Sequence, residues 1–339
     1  MRKFLLTVCS MLSITIVSAQ LSEADKVKKG LETKNKDTVA WTKSGFINVG
    51  INEGFLHNWQ AGGELASLTI SSIFSGNATY LNHNKIWSNN LDMAYGLYYA
   101  YSTAFIPHKT DDRIDLSSKY GIRLDTAKNF YISGLFDFQT QFTQGHDYSL
   151  PRWDTSSTSK FLSPAYLTLG IGLEYRKGSD ISIFLSPLAA KLTLVDKVYT
   201  LRSPEGAFGV PYGKTAHMKL GAYFSARYVG RINKDISFKT RLDLYCNYLA
   251  KDRTDSLGNI VKRDNPGNIA VLWDNLLEYK LSKYLNITFA ATFIYDNDIP
   301  YSNTYVDKSG IVVQKDNPGK NLGWLQAKQI FTLGFEYKF

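Results

Sequence analysis

Hydrophobic and polar residues alternate along most of this chain. The last ten residues, IFTLGFEYKF, show it plainly. Phe331, Leu333, Phe335, Tyr337 and Phe339 fall on one face of an extended strand, and Thr332, Gly334, Glu336 and Lys338 on the other. A period of two is the signature of a β-strand. An aromatic face set against a charged one fits a strand with lipid on one side and water on the other.

The same reading recovers twelve segments. Gly45 to Phe55 carries Ile47, Val49 and Ile51 on one face, and Leu65 to Tyr80 carries Ala66, Leu68, Ile70, Phe74 and Ala78. In the third, Trp87, Leu91, Met93, Tyr95, Leu97, Tyr99 and Tyr101 oppose Ser88, Asn90, Asp92, Ala94, Gly96 and Ser102. The fourth sets Ile114, Leu116, Tyr120, Ile122 and Leu124 against Asp115, Ser117, Lys119, Gly121 and Arg123. The fifth sets Phe130, Ile132, Phe136, Phe138 and Phe142 against Ser133, Asp137, Gln139 and Gln141. The sixth opposes Leu167, Leu169, Ile171, Leu173 and Tyr175 to Glu174, Arg176 and small residues. In the seventh, Asp180 to Val195, Pro187 breaks the pattern and predicts a bulge or an unpaired position. The eighth puts Lys219 and Arg227 behind Met218, Leu220, Phe224 and Tyr228. The ninth puts Lys239, Arg241 and Asp243 behind Phe238, Leu242, Leu244, Cys246 and Tyr248. The tenth puts Asp274, Glu278 and Lys280 behind Val271, Trp273, Leu277 and Tyr279. The eleventh sets Leu285, Ile287, Phe289, Phe293 and Tyr295 against Asn286, Thr288, Thr292 and Asp296, and the C-terminal run is the twelfth.

The connectors separate a soluble sandwich from a membrane barrel. Gaps near 81–84, 125–129, 177–180, 231–234 and 281–283 are short. Those near 56–63, 106–111, 145–162, 196–215, 251–267 and 297–325 are longer, and the two kinds alternate. Tight turns at one end, long loops at the other and an even strand number predict an up-and-down antiparallel transmembrane barrel of about 12 strands, with both chain ends on the periplasmic side. Outward Tyr and Trp near strand ends, among them Trp87, Tyr175, Tyr228 and Trp273, suit interfacial girdles.

The beginning of the chain fixes the expected compartment. Arg2 and Lys3 precede an apolar stretch from Phe4 to Val17, and Val17-Ser18-Ala19 offers a small-residue cleavage site. Residues 1–19 are therefore expected to be a signal peptide, 20–43 a polar periplasmic leader and 44–339 the barrel. One cysteine, Cys246, then remains, too few for an internal disulfide. No later apolar run is long enough for a membrane-spanning helix. The formal charge of +9 becomes +7 without Arg2 and Lys3, and basic residues are interleaved with acids, so nucleic acid is not expected as a partner.

Little in the chain points to catalysis. Of the histidines, His57, His108 and His146 fall in or beside the long loops. No G-x-S-x-G elbow or H-E-x-x-H helix accompanies them. The best enzymatic arrangement would join His146 to Asp147 or Asp154. Ser256–Gly267 and Ser309–Gly319 both end in Asp-Asn-Pro-Gly and predict protruding β-arms, whose Asp264 and Asp316 are weak calcium candidates. No cofactor or metal is expected. The inward face is the candidate site. It gathers Lys119, Arg123, Arg176, Lys219, Arg227, Lys239, Arg241 and Lys280 with Asp92, Asp115, Asp137, Glu174, Asp243, Asp274, Glu278 and Glu336. Neither sign dominates, so no strong ion selectivity follows.

An ordered set of motifs adds a family resemblance. The set includes NWQAGG at Asn58–Gly63, WSNNLDMAYG at Trp87–Gly96, TDDR at Thr110–Arg113, KYG at Lys119–Gly121, TQF at Thr140–Phe142, SPAYLTLGIGLEY at Ser163–Tyr175 and LSPLAAKLT at Leu185–Thr193. Together they resemble the Bacteroidota outer-membrane family catalogued as domain of unknown function three-zero-seven-eight. The resemblance implies an outer-membrane barrel and assigns no activity and no functional residue. The function expected is a small-solute pore or transporter, with a closed-lumen barrel acting through its outer loops as the alternative and no enzyme. Outer-membrane lipid is the expected partner. The barrel-assembly machinery is expected to read Phe331, Leu333, Phe335, Tyr337 and Phe339 during biogenesis.

Overall fold

A computed structural model describes residues 40–56, 64–124, 129–148, 153, 157–178, 180–254, 257–258, 260–296, 304–306, 312–314 and 325–338. Twelve strands form a closed barrel: β1 (Ala40–Phe55), β2 (Ala66–Asn82), β3 (Lys85–Ala100), β4 (His108–Arg123), β5 (Phe130–Thr140), β6 (Ala165–Lys177), β7 (Ile181–Leu194), β8 (Ala216–Arg231), β9 (Ile236–Asn247), β10 (Ala270–Lys280), β11 (Leu285–Tyr295) and β12 (Leu325–Lys338). Each strand pairs antiparallel with its neighbours in sequence, and β12 returns to pair with β1.

The outer wall explains why these residues form strands. Ile171, Leu188 and Phe335 are at least 65% exposed, and Ile132, Leu173, Leu185 and Phe331 are about half exposed or more. In water such a surface would aggregate. In hydrocarbon it is the solvent-matched face, and ring closure is what supplies the backbone hydrogen bonds that lipid lacks. The molecule is a transmembrane β-barrel. Toward the short turns, Trp41 contacts Tyr80 and Trp87 at ring distances of 5.1 and 5.8 Å, and Phe130 meets Tyr175 at 5.3 Å. Outward polar groups satisfy one another: Trp87 donates to Ser118 (2.8 Å), which donates to Asn89 (2.8 Å).

Pro187 sits where it breaks least. The register of β7 slips on both sides, between Ile171 and Leu173 of β6 and between Gly221 and Tyr223 of β8. The Ser186 hydroxyl fills in, lying 2.9 Å from the Ile171 carbonyl and 2.8 Å from that of Leu188. The wall is tight here: a Cβ on Gly172 would lie 2.0 Å from the Leu185 carbonyl oxygen.

Several boundaries differ from the alternation. β1 begins at Ala40 and takes in the end of the expected leader. β3 stops at Ala100, so Tyr101 belongs to a 3-10 turn (Tyr101–Thr103), anchored where the Glu64 carboxylate accepts the amide (2.8 Å) and hydroxyl (2.6 Å) of Ser102. β4 starts at His108, converting most of the expected 106–111 loop into strand. Phe142 and Tyr248 lie just beyond β5 and β9. Short hairpins at Gly145–His146 with Ser157–Ser159, Arg253–Thr254 with Ile260–Lys262, and Thr304–Val306 with Val312–Gln314 stand in the long loops, where two protruding arms were expected.

A valine at Gly172 must push the backbone of β7, at a cost of about 1–3 kcal/mol by the usual scale of overpacking. Gly172→Val should therefore lower the temperature at which the folded band disappears in semi-native gels. Gly134→Ala, which meets nothing within 4 Å, should leave that temperature unchanged.

Candidate functional site: a charge-bridged lumen

Because side chains alternate across each strand, every second residue points into the barrel, and closure forces charges from separate strands together. In the ring of twelve, β4 and β10 are six strands apart, as are β3 and β9, so each pair lies on opposite walls. Arg113 of β4 reaches Asp274 of β10 at 2.9 Å, and Thr292 of β11 donates to the same carboxylate at 2.6 Å. Lys239 of β9 reaches Asp92 of β3 at 2.9 Å and the Ser75 hydroxyl at 3.0 Å. These contacts cross the full width of the lumen.

Arg241 is the hub between them. Its guanidinium meets Asp115 of β4 (2.5 Å), Asp137 of β5 (2.8 Å) and Asp243 of its own strand (2.5 Å), all within a buried centre. Three separate guanidinium nitrogens each meet one carboxylate, a spread that the single nitrogen of an ammonium cannot match. A second centre joins Lys119 to Glu174 (2.7 Å). The Ser133 and Ser182 hydroxyls also bond Glu174 at 2.8 and 2.7 Å, and Arg176 lies 3.4 Å from it. Arg176 continues to Ser88 (2.8 Å), and Arg227 reaches Ser117 (3.0 Å). Near the short turns, Asn48 donates to Asn286 (2.7 Å) and Asn286 to Glu336 (2.9 Å).

Among the expected site residues, Asp92, Asp115, Lys119, Asp137, Glu174, Arg176, Arg227, Lys239, Arg241, Asp243 and Asp274 meet in these networks. Arg123 instead bonds the Tyr131 hydroxyl at 3.0 and 2.6 Å. Lys219 and Glu278 are buried, with Ser237 3.4 Å from Glu278, while Lys280 is half-buried at the end of β10. Further charges were missed. Arg113 would have emerged from carrying the alternation of Asp115 and Ser117 two residues back. Lys328 follows from Thr332 in the same way, and it meets Asp111 at 2.6 Å. Lys191 approaches Asp296 at 3.7 Å.

The lumen also holds an apolar cluster that the alternation did not reveal. Leu135, Phe184, Ala189, Tyr223 and Tyr245 are buried together inside the wall. Lys119 and Lys191 lie over its rings, at 5.8 Å from Phe184 and 5.6 Å from Tyr245. Charges and rings thus fill one another's gaps.

Among the described residues the loops show no assembled catalytic group. His146 bonds the Trp153 carbonyl through Nδ1 (2.9 Å) and sits among Tyr148 and Trp153, while His108 stacks on Tyr148 at 4.0 Å. Asp154, proposed as its partner, lies outside the described residues, as do Asp316 and Phe339. Asp264 accepts from Asn265 and Asn268, which is turn chemistry. Among the described residues no three His, Cys, Asp or Glu side chains gather as a metal site. Phe331, Leu333, Phe335 and Tyr337, the described part of the expected assembly segment, all face outward and are exposed.

The longest connection described without interruption, 195–215, is a small structure of its own. Asp196 caps helix α1 (Lys197–Thr200) through the Val198 amide and is held by Lys160 of the neighbouring loop. The hydrogen bond from Lys160 keeps the Asp196 carboxyl below the usual aspartate range and raises the Lys160 ammonium. Val195, Tyr199 and Val210 are buried together beneath it, with Ser157 2.8 Å from the Tyr199 hydroxyl.

An apolar exterior around a charged, hydrogen-bonded interior is the build of an outer-membrane barrel, and that is where this protein resides. A family described as "Protein of unknown function (DUF3078)" matches residues 51–146, the same family that the sequence motifs resemble. No curated protein matches the chain. Among solved structures, the translocator domain of autotransporter NalP from Neisseria meningitidis is similar at 11% identity and a TM-score of 0.35, with 94% of this chain and 95% of that one covered. The NanC porin gives 10%, 0.35, 86% and 96%. A Pseudomonas aeruginosa FadL homologue gives 9%, 0.28, 88% and 88%. These likenesses carry no functional argument.

Removing one partner from a buried ion cluster leaves the others uncompensated, a loss of about 3–5 kcal/mol. Arg241→Ala, which strands three carboxylates, should sharply lower the barrel's unfolding midpoint in urea. Arg241→Lys should fall between, because an ammonium cannot span the same three groups.

Proposed function

We propose that this barrel is a small-solute pore of the outer membrane whose lumen is held narrow by ion pairs between opposite walls. The observation that carries this reading is the pair of full-width bridges, Arg113–Asp274 and Lys239–Asp92, with the Arg241 cluster beside them. Both signs are present in near balance, so such a constriction selects by size and polarity more than by charge. A buried bridge gains little net stability over an apolar filling. Its use is as a contact that can part and reform, because water or a polar solute can replace each partner. The described lumen side chains are mostly charged or hydrogen-bonded, so the solutes that suit it are small and hydrophilic.

A second reading is favoured by the loop platform. Residues 157–160 and 195–215 are bonded into one ordered surface through Lys160–Asp196 and Ser157–Tyr199. A barrel with a permanently sealed lumen would present that surface to an external partner.

Conductance in planar bilayers separates the two. The wild-type protein should pass small, infrequent currents. The variant Arg113→Ala with Asp274→Ala removes a whole bridge and leaves neither partner orphaned, so it should give larger and longer openings. If both wild type and variant stay silent while folded, as judged by gel mobility, the pore reading fails and the loop-surface reading stands.

A further inference from the structure

The ring is closed unevenly. Among the described residues, every seam but one is zipped by ten or more residue pairs, whereas β1 and β12 share five, from Phe46 with Lys338 to Gly50 with Gly334. Beyond Gly50 the two strands continue without meeting. Ile51 to Phe55 of β1 pairs with β2 alone, and Ala327 to Leu333 of β12 pairs with β11 alone. Burial reports the same break. On β1 it alternates through Asn48 and Gly50 and then gives way to five consecutive exposed residues, inward and outward positions alike. The zipped part ends where the Thr332 side chain lies against Gly50: a Cβ there would fall 1.8 Å from its Cγ2.

This gap lies at the level of the apolar belt. Ala327 to Leu333 pairs with Ile287 to Phe293, and outward Phe331 and Leu333, like Ile51 of β1, are exposed apolar side chains. Open sheet edges facing lipid are costly, because their N–H and C=O groups find no partner in hydrocarbon. They are tolerated where they border a water-filled space, and here the lumen is behind them.

Beside the gap the outer wall is hollow. A cavity of about 510 Å³ is lined by Trp273, Phe289 and Phe293 with the small Ala291 and Ala327, and its polar edge is Asn275, Gln329 and Lys328. Lys328 is also the residue that reaches inward to Asp111. An ammonium has three donors and Asp111 uses one, and the side chain is 41% exposed. One residue therefore borders both the hollow and the lumen, at the edge where the wall is unzipped.

We propose that the unzipped upper part of the β1–β12 seam is a lateral opening, and that the hollow beside it binds a single-chain anionic amphiphile. The chain lies on Trp273, Phe293 and Ala327, and the anionic head meets Lys328. The cavity has the size of a small-ligand site. The opening lets the head remain at the hydrated lumen edge while the tail enters the membrane phase. This assignment does not depend on ion conduction: a barrel that never conducts could still hold the amphiphile.

Two measurements on the whole chain without residues 1–19, in phosphatidylcholine vesicles, test it, one for each half. For the opening, nitroxide labels are placed singly at Asn52→Cys, Ile330→Cys and Thr288→Cys in a Cys246→Ala background. Asn52 and Ile330 face inward at the gap, and Thr288 faces inward behind a zipped wall. The first two labels should be several-fold more accessible to lipid-dissolved oxygen, relative to an aqueous nickel chelate, than the third. Equal values at all three sites would show a sealed wall and overturn the proposal. For the ligand, doxyl-stearate should quench Trp273 fluorescence, read as the difference from Trp273→Phe, saturably and with competition by dodecanoate. Dodecyltrimethylammonium, with the same chain and the opposite charge, should compete about tenfold less well, as should dodecanoate against Lys328→Gln. Quenching that never saturates, or equal competition by both heads, would reduce the hollow to ordinary lipid contact and refute the site. Silence in the bilayer conductance test would leave both outcomes readable.

Discussion

Everything in this structure follows from the poverty of hydrocarbon as a partner for the peptide backbone. A strand in lipid must pair on both edges or pay several kcal/mol for each unbonded group. Twelve antiparallel strands meet that demand by closing on themselves. Closure then dictates the rest: one side of every strand must suit lipid, and the other side of all twelve shares one confined space. The outward aromatics and aliphatics answer the first requirement, and the ion clusters answer the second.

Confinement makes the lumen unlike a soluble core. Charges that look independent along the chain are brought within 3 Å across the barrel, as Lys239 and Asp92 are, although 147 residues separate them. Desolvation raises the cost of each charge, so stability requires that nearly all be matched. The result is a filled interior whose contacts are strong when formed and replaceable by water when parted. A narrow, gated passage is a natural use of such an interior. The single weakly zipped seam is then notable because it departs from the rule that built the barrel.

How much of this was legible in the chain depends on whether the signal was local. The period of two, the alternation of short and long connectors and the Pro187 interruption are local, and they led to the strand number, the topology and the bulge. The inward charges followed from the same alternation. What escaped was set by distance or by exceptions to polarity. Leu135, Phe184, Tyr223 and Tyr245 point inward although apolar, because ammonium groups and ring faces complete each other there. Arg113 escaped because β4 extends six residues before Ile114, where TDD reads as loop. Which charge meets which across the barrel depends on register summed around the ring. The incomplete β1–β12 seam depends on the last of those registers, which no single strand records.

The central claim is that side chains on opposite walls touch. A double-mutant cycle on Lys239 and Asp92, with unfolding free energies measured in lipid, tests it most directly. Contact across the lumen predicts that Lys239→Ala and Asp92→Ala are coupled by about 1 kcal/mol or more, within the range seen for residues that meet. Additivity within about 0.5 kcal/mol, the behaviour of distant sites, would contradict it.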